Sequence, residues 1–468
     1  MCHKASSGKY ERGEKMINIR KLKTTNHPIL KNIELDFMRP DGTCYNTIIL
    51  AGENGSGKTT IFDVFTNLII HPFGAGGGMG VDGFDLEIEI KHNDDKNYVF
   101  KKVPGENYYS WQDMRGRHVS NEGSRRTNIN ILRSDVEINF EHEEINAITA
   151  RNLDATDKNG LIKTPKNLAT EIAHLLIDID GLDSIDVVQW VDASGNEGKP
   201  VPESERHKRI KRFRNAFEVM FHDKLNFSKI NNRNNKKEII FNKKVNGAIE
   251  EVILNKLSSG EKQVVFRSAF LLKDKNSLSG CIVLIDEPEL SMHPKWEEKL
   301  LSFLQTLFKN DIGTQTSQLF IATHSEHVLK SALEDDNSLI VKLRENEPPE
   351  TIFKGQTGNS LRTVTLGEVK WRVFDMPTVD YHIELYAWLH KLSGVGSCGD
   401  FKNWLRANHP LSIGTLPVTT YRGYTDETLP TYIRNYIDHP DECNRSSDCL
   451  NRLEDSINHL RRIIATFP

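Results

Sequence analysis

The sequence lacks long apolar runs and contains few cysteines. No uninterrupted apolar stretch reaches the ~18 residues that span a bilayer. The first 15 residues are polar and lack the apolar segment of a secretory signal. The 468 residues include only six cysteines, which are scattered rather than arranged as a disulfide framework. We therefore expect a cytoplasmic protein without a membrane partner, in which residues 1–15 are a flexible lead-in.

A strong excess of one charge is also missing, since the formal net charge is −4. The local exception is RHKRIKRFR at 206–214, which carries six Arg or Lys side chains in nine residues. Ile210, Phe213, Phe217 and Met220 in and after this stretch have helical spacing. The basic helix is either a solvated face or a contact for the phosphate backbone of DNA or RNA, and the sequence leaves both interpretations open.

Strand patterns and helical patterns alternate through most of the chain, which is typical of α/β proteins. Strand patterns fill 16–37 and 85–103, whereas 141–223 is charged and helical in pattern. Short helical patterns joined by polar loops follow from residue 370 onward. We predict an α/β core that is interrupted by a helical insertion and followed by a C-terminal all-α domain.

The stretch GENGSGKT at 52–59 matches the phosphate-binding loop G-x-x-x-x-G-K-[ST] in full. It follows the apolar strand TIIL and opens a helical pattern, which is the context that this motif requires. In such loops, backbone N–H groups and the helix N-terminus bind phosphate. Lys58 is expected to reach the β- and γ-phosphates of ATP, and Thr59 to place its hydroxyl on Mg²⁺. The predicted ATP-binding residues of the loop are Gly52, Asn54, Gly55, Ser56, Gly57, Lys58, Thr59 and Thr60.

Two further strands end in polar residues. The apolar strand CIVLI is followed by Asp286 and Glu287, and the strand LFIA is followed by Thr323 and His324. Because ligands of α/β sheets bind at the carboxyl ends of the strands, we expect Asp286 to hold Mg²⁺ together with Thr59. Glu287 is predicted to orient or deprotonate the attacking water, and His324 to contact the γ-phosphate.

These motifs, in this order, resemble the ABC-type ATPases of the branch that contains SMC-like, RecF and OLD-family proteins. LSSGEKQ at 257–263 resembles the ABC signature, LIDEPELSMHP a Walker B segment with its D-loop, and THS the switch-histidine loop. The resemblance implies an ABC-type P-loop ATPase head that forms a homodimer or a higher homo-oligomer. It also implies that the signature of one subunit completes the ATP site of another. The signature residues expected at that site are Ser258, Ser259, Gly260 and Glu261.

Parts of the chain depart from the family pattern. Ser259 stands where the signature usually has its first glycine. Gln112 and Gln189 are both candidates for the Q-loop glutamine. The sequence shows no sustained heptads of a long coiled coil, which argues against a true SMC protein.

PELSMHP and the tail segment LPTYIRNYIDHP are most similar to PtuA, the ATPase family of the Septu anti-phage systems, which also occurs as a retron-associated effector. This resemblance implies regulation of a partner HNH nuclease of the PtuB type through ATP-dependent dimerisation. In a retron, it implies a reverse transcriptase with its non-coding RNA and DNA as further partners. A DNA-repair ATPase of the RecF or OLD type is the alternative.

The tail also contains RNYIDH at 434–439, which is similar to the R-x-x-x-x-H motif of HEPN ribonucleases. Arg434 and His439 are therefore candidates for RNA cleavage in an ATP-gated ribonuclease. The other interpretation is a helix end, where a histidine near the last carbonyls is favourable. The predicted domains are the lead-in 1–15, a first ATPase lobe 16–140, a helical, partly basic insertion 141–230, a second ATPase lobe 231–369 and a helical domain 370–468 for partner docking or oligomerisation.

Overall fold

The computed structural model describes most of the chain in two compact units, Met1–Thr351 and Ile352–Pro468. The predicted lead-in at 1–15 lies outside the described residues. Within them, no helix is both long and apolar enough to cross a bilayer. The described ranges are 17–67, 83–92, 95–106, 108–119, 129–134, 161–163, 168–193, 195–202, 210–233, 236–268, 280–309, 313–356, 360–418, 420–421, 424–425, 428–439 and 445–467.

The strands of the first unit form three sheets. In chain order they are β1 (Asn18–Thr25), β2 (Glu34–Asp36), β3 (Thr47–Gly52), β4 (Asp85–Lys91), β5 (Asn97–Lys102), β6 (Tyr109–Asp113), β7 (Ile131–Ser134), β8 (Leu161–Lys163), β9 (Leu225–Arg233), β10 (Lys236–Val245), β11 (Ala248–Ile253), β12 (Ile282–Asp286), β13 (Gln318–Ala322), β14 (Ser338–Leu343) and β15 (Glu350–Phe353). The sheet orders are β15-β14-β3-β13-β12-β7-β8, β2-β1-β4-β5-β6 and β11-β10-β9.

The first of these sheets carries the ends of the predicted motif strands. From β14 through β8, neighbouring strands pair in parallel. Strands β3, β12, β13 and β14 are buried along their whole length, which explains why their sequences are almost continuous apolar runs. Because parallel strands end at the same edge of a sheet, the segments that follow β3, β12 and β13 lie close together.

The helices of the first unit begin with α1 (Lys58–Asn67), which follows β3 and buries Ile61, Phe62 and Phe65. Buried side chains at helical spacing also line the helices Pro294–Leu307 and Glu326–Glu334, so one face of each of these two helices packs inward. The remaining helices are α2 (Leu168–Asp192), α3 (Ile210–Phe221), α4 (Ser259–Ser268), α5 (Pro294–Leu307) and α6 (Glu326–Glu334).

The two other sheets are antiparallel where their pairing is described. Strands β4 and β5 form the hairpin predicted within 85–103, with Ile90 opposite Tyr98. The sheet of β9, β10 and β11 was partly missed, because β9 begins inside the range 141–230 predicted as a helical insertion. Leu225 and Phe227 are buried and alternate with Asn226 and Ser228, and this period of two indicates a strand once β10 offers a pairing partner. Strand β8 is also inside that range, so the insertion is not helical throughout.

Strand β15 spans the border between the two units, and the rest of the described part of the second unit is helical apart from the two-residue pair β16 (Thr420–Tyr421) and β17 (Tyr424–Thr425). Its core is a continuous cluster of apolar side chains that includes Leu385, Phe401 and Leu460. The border predicted at 369/370 falls inside the first helix of this unit. The helices are α7 (Leu366–Phe374), α8 (Val379–Ser393), α9 (Cys398–Asn408), α10 (Leu429–Asp438) and α11 (Leu453–Ile464).

A buried histidine makes the stability of the second unit depend on pH. His382 is 0% exposed, and its Nε2 lies 2.9 Å from Ser456 Oγ. Burial lowers the pKa of His382 from 6.5 to about 3, so the unfolded chain takes up a proton that the folded unit excludes. The free energy of unfolding should therefore be highest above pH 6.5, the pKa of the histidine in the unfolded chain. Below that pH it should decrease by about 1.4 kcal/mol per pH unit.

Urea unfolding of the wild type and of His382→Gln, followed from about pH 7 to about pH 5, measures this dependence. Glutamine retains hydrogen-bonding groups but does not titrate. The difference between the two proteins in the slope of unfolding free energy against pH therefore gives the contribution of His382. Equal slopes for the two proteins would contradict the assignment.

Candidate nucleotide-binding site

The phosphate-binding loop joins the end of β3 to the start of α1, as the sequence predicts. Gly52 and Gly57 have φ values of 153° and 96°, which residues with a Cβ rarely adopt. A Cβ on Gly52 would lie 2.2 Å from the carbonyl oxygen of Leu343, and a Cβ on Gly57 would lie 2.5 Å from Leu30 Cδ2. These two positions therefore require glycine. Of the predicted loop residues, Gly52 is the last of β3, Asn54, Gly55, Ser56 and Gly57 form the connecting turn, and Lys58, Thr59 and Thr60 begin α1.

Lys58 is the first residue of α1 and is only 6% exposed. Its Nζ donates hydrogen bonds to the carbonyl oxygens of Gly52 and Glu53, each at 2.9 Å. Burial lowers the pKa of Lys58, and the negative charge of Glu287 opposes this shift. The ammonium group is thus held by neutral acceptors, which charged phosphate oxygens can replace with stronger hydrogen bonds.

A cleft of about 290 Å³ adjoins the loop at Gly55 and Ser56. Its other walls are the turn between β1 and β2, residues 29–33, and the segment 343–349 at the end of β14. The cleft offers apolar side chains such as Ile29 and Leu30 beside polar ones such as Asn32. A ligand bound to the loop therefore has room to extend between these two turns.

Thr59 and Asp286 meet at the edge of the parallel sheet. Thr59 Oγ1 donates a hydrogen bond to Asp286 Oδ2 at 2.9 Å, although the residues are 227 positions apart in sequence. Burial raises the pKa of Asp286, as expected for a carboxylate that is withdrawn from water. Hydroxyl and carboxylate oxygens are ligands that Mg²⁺ prefers, and Thr59 is exposed. The pair therefore fits the predicted metal site.

The rest of the metal coordination must come from other atoms. Within the described ranges, no group of three or more His, Cys, Asp or Glu side chains is arranged to hold a metal ion. Mg²⁺ usually keeps several waters and binds through one or two protein side chains together with substrate phosphates. A hydroxyl and one carboxylate beside a phosphate-binding loop match that usage.

The two predicted catalytic residues also lie next to each other. His324 Nε2 is 3.3 Å from Glu287 Oε1, and their side chains are 33% and 29% exposed. Glu287 follows directly after β12 with φ of 37°, a strained conformation for a residue other than glycine. Burial lowers the pKa of His324, and the positive charge of Lys58 lowers it further. A neutral imidazole is therefore favoured beside the carboxylate.

The signature segment forms a capping box at the start of α4. Ser258 donates to Glu261 Oε2 from its backbone N at 2.8 Å and from its hydroxyl at 2.9 Å, and Ser258 Oγ accepts from Glu261 N at 3.3 Å. Lys243 on β10 places its Nζ 2.7 Å from Glu261 Oε1. Burial alone would raise the pKa of Glu261, but Lys243 and Ser258 hold it below its usual range.

The signature also contacts the segment after Glu287. A Cβ on Gly260 would lie 2.9 Å from both Ser291 O and Trp296 Cζ3, so the D-loop and α5 approach the helix closely. Ser258 and Ser259 are exposed, whereas Gly260 and Glu261 are buried. The Ser258 hydroxyl is engaged by Glu261 within its own chain. Its contact with the ATP of a second subunit stays a prediction, and it would require that hydroxyl to exchange partners.

Neither Q-loop candidate lies at the edge where the strand ends meet. Gln112 is on β6 in an antiparallel sheet, with its Nε2 3.5 Å from the carbonyl oxygen of Lys101. Gln189 is exposed on α2. Strand β7 is one of the two neighbours of β12 in the sheet, and its Arg133 Nη1 lies 2.6 Å from Asp63 Oδ1 on α1. Arg133 was not predicted as a site residue, although a charged residue inside an apolar strand was the available signal.

Two residues of the PELSMHP segment were also missed as individual side chains. His293 is the N-cap of α5, where its Nδ1 accepts from Lys295 N at 3.2 Å and Pro294 follows at the first helical position. Glu289 accepts a hydrogen bond from His324 N at 2.9 Å. The sequence spacing of His293 and Glu289 predicted neither of these two hydrogen bonds.

The basic stretch and the tail motif occupy other parts of the molecule. Residues 206–209 lie outside the described ranges, and Arg214 packs over the ring of Phe227 at 5.7 Å. In the second unit, Arg434 Nη2 lies 2.7 Å from Asp438 Oδ2. His439 is the C-cap of α10. This arrangement is that of a helix end, and RNA cleavage by Arg434 and His439 stays a prediction.

The site can be compared with known proteins. A family model described as "AAA domain, putative AbiEii toxin, Type IV TA system" matches residues 48–330. No curated protein matches the sequence. An SMC head domain from Thermotoga maritima is 13% identical, with a TM-score of 0.36, and the match covers 71% of this chain and 98% of that one.

Two other solved structures are similar to the chain, with comparable sequence identity and TM-score. An Smc head domain with an extended coiled coil, bound to the C-terminal domain of ScpA and derived from Pyrococcus furiosus, is 13% identical with a TM-score of 0.37, over 72% of this chain and 96% of that one. The recombination mediator protein RecF with ATP is 14% identical with a TM-score of 0.33, over 73% and 100%. These matches do not single out the Septu ATPase.

The family match spans more than half of the chain and includes the phosphate-binding loop, the acid pair and the switch histidine. Together with the parallel sheet order, it confirms the predicted α/β P-loop ATPase head with a helical C-terminal region. The chain therefore belongs to the AAA domain family described as putative AbiEii toxin, Type IV TA system.

Proposed function

We propose that the chain binds Mg²⁺–ATP at the edge of its parallel sheet and hydrolyses it to ADP and phosphate. The proposal rests on two side-chain pairs that meet at this edge. Thr59 Oγ1 lies 2.9 Å from Asp286 Oδ2, and His324 Nε2 lies 3.3 Å from Glu287 Oε1. Both pairs come from segments that follow parallel strands of one sheet, and the buried ammonium of Lys58 lies at the same edge.

Each side chain has a distinct task in this reaction. Lys58 leaves its carbonyl acceptors to bind phosphate oxygens, which offsets the negative charge that repels an attacking water. Thr59 and Asp286 would hold the Mg²⁺, and the ion supplies charge neutralisation on the phosphates when it is bound. Glu287 orients the water and accepts its proton. His324, neutral and adjacent to that carboxylate, donates a hydrogen bond to the developing phosphate charge.

We further propose that the active form is a dimer in which the signature of one subunit completes the site of the other. The exposed Ser258 and Ser259 at the N-terminus of α4 support this arrangement, because helix N-termini bind anions. The 10-residue helix begins at Ser259, and the D-loop lies close to this start, since a Cβ on Gly260 would lie 2.9 Å from Ser291 O.

Mixing two inactive variants tests the shared site. Lys58→Ala removes the phosphate-binding cation, and Ser258→Arg blocks the signature. In a mixed dimer, the intact loop of the Ser258→Arg chain meets the intact signature of the Lys58→Ala chain. We expect each variant alone to be inactive and the mixture to regain ATPase activity.

The matched control is a chain that carries both substitutions, which should restore nothing when mixed with either single variant. Native mass spectrometry of the mixture checks that mixed dimers form. If mixed dimers form and hydrolyse no more ATP than the separate variants, the signature does not act across subunits.

In the cell, we propose that the ATPase cycle controls a partner HNH nuclease in anti-phage defence, in a Septu or a retron-associated system, in the cytoplasm. The family description, which mentions a toxin of a toxin–antitoxin system, is compatible with a defence role. The similarity of PELSMHP and the tail segment to PtuA points to the nuclease partner. A DNA-repair ATPase of the RecF type accounts equally well for the head alone, and an ATP-gated ribonuclease would depend on Arg434 and His439.

A further inference from the structure

Glu289 lies two residues after Glu287, outside the phosphate-binding loop, the acid pair and the signature. Its Oε1 accepts three hydrogen bonds, from Thr323 Oγ1 at 2.5 Å, from His324 N at 2.9 Å and from Ser325 N at 3.2 Å. Its Oε2 is buried and has no hydrogen-bond partner among the described residues. One carboxylate oxygen therefore serves as acceptor for the whole turn that carries the switch histidine.

This turn connects the end of β13 to the start of α6. The backbone N–H groups at a helix start have no acceptor within the helix, and a carboxylate near a helix N-terminus is favoured by the dipole. Ser325 is the N-cap of α6, and its hydroxyl also donates to Glu297 Oε2 at 2.5 Å on α5. The turn is thus held from two sides, by Glu289 through all three of its residues and by Glu297 through the Ser325 hydroxyl.

The position of the turn decides where the His324 side chain lies. The backbone of His324 is fixed by Glu289, and its Nε2 lies 3.3 Å from Glu287 Oε1. Glu287 and Glu289 belong to the same five-residue stretch DEPEL, so one short segment provides both the carboxylate beside the imidazole and the anchor of the imidazole's backbone. A shift of the turn would separate the pair without moving Glu287.

We infer that Glu289 is a positioning residue for ATP hydrolysis, which holds the 323–325 turn so that His324 stays beside Glu287. The inference rests on the proposed ATPase function and deepens it. Glu289 acts as a hydrogen-bond acceptor here, and its Oε2 makes no hydrogen bond with the described residues that a substitution would break. Glutamine therefore preserves the essential Oε1, whereas alanine removes the acceptor from all three donors.

The experiment compares Glu289→Ala, Glu289→Gln and the wild type in the full-length protein with Mg²⁺ and ATP. For Glu289→Ala we expect kcat to fall by about 10- to 100-fold, because a displacement of about 1 Å in a catalytic group has effects of this size. KM and the Kd for ATP should stay within about threefold, since Lys58 and Thr59 are untouched. Glu289→Gln should retain kcat within about threefold of the wild type.

Two further variants distinguish positioning from general destabilisation. Glu298→Ala removes a neighbouring carboxylate of α5 that is 59% exposed and lies 3.7 Å from His327, and it should leave kcat unchanged. Thr323→Val keeps the shape of the side chain but deletes the hydroxyl that donates to Glu289 and accepts from Ser325 N at 3.0 Å, so it should lower kcat by severalfold even if Glu289→Ala does not fold. Thermal unfolding of each variant shows which proteins are folded.

The outcomes separate this inference from the function on which it rests. A folded wild type without turnover overturns both. An active wild type whose kcat is unchanged in Glu289→Ala, or in Thr323→Val where the alanine variant does not fold, overturns the positioning role alone. Loss of kcat in Glu289→Gln as large as in Glu289→Ala also overturns it, because the negative charge would then matter rather than the acceptor.

Discussion

Replacing Lys58 by alanine should weaken ATP binding by about 100-fold. Hydrogen bonds from a charged donor contribute up to about 3 kcal/mol, which corresponds to about 100-fold in Kd. Lys58 is 6% exposed and already oriented by the carbonyl oxygens of Gly52 and Glu53, so its charge is available to phosphate at little entropic cost. Isothermal titration calorimetry with Mg²⁺–ATP measures the change.

The fold should survive this substitution, because the alanine is still compatible with the start of α1. Lys23→Ala is the matched control, since that lysine is 54% exposed and pairs only loosely with Glu34 at 3.7 Å. It should bind ATP as the wild type does. If a folded Lys58→Ala protein bound ATP normally, the assignment of the phosphate-binding loop would be wrong.

The same variant tests the proposed defence role in cells. Phage plating on a host that carries the ATPase gene with its neighbouring genes should show protection that Lys58→Ala abolishes and Lys23→Ala preserves. Unchanged protection with Lys58→Ala would count against an ATP-driven defence function. Protection that survives deletion of an adjacent nuclease gene would count against the HNH partner.

Replacing Glu287 by glutamine should lower the rate of ATP hydrolysis by about 100-fold or more, because general base catalysis contributes at least this much. Glutamine has the shape of glutamate but accepts no proton from water. ATP binding should be preserved or tightened, since removal of a negative charge near the phosphates relieves repulsion. A dimer that forms only with ATP should therefore accumulate.

Single-turnover hydrolysis and size-exclusion chromatography with light scattering measure the two effects. Glu334→Gln is the control, because it removes an exposed carboxylate at the end of α6 in the same unit. Turnover near the wild-type rate in Glu287→Gln would show that another group takes the proton. Loss of ATP binding would show that the carboxylate acts in binding rather than in hydrolysis.

Much of the site is readable from local sequence. The phosphate-binding loop was predicted residue by residue, because its glycines meet a steric demand that each position imposes by itself. Strands β3, β12 and β13 were equally visible as apolar runs followed by polar residues. Strand β9 was missed, since Leu225 and Phe227 were included in a region whose charge pattern favoured helix.

The partners of individual side chains were not readable in this way. Lys243 and Glu261, at 2.7 Å, are joined because the three-stranded sheet packs near α4. Arg133 reaches Asp63 because β7 pairs with β12 beside α1. Nothing within either local sequence specifies these distances.

The sequence by itself determined the loop, the strand ends and the type of chemistry that this protein offers. It did so because dihedral requirements, apolar periodicity and charge are properties of a few adjacent residues. Only the tertiary structure decided that Thr59 meets Asp286 across 227 positions and that Glu289 anchors His324. Such contacts depend on which strands are neighbours in the parallel sheet. This spatial order brings segments that are distant in sequence to one edge of the sheet.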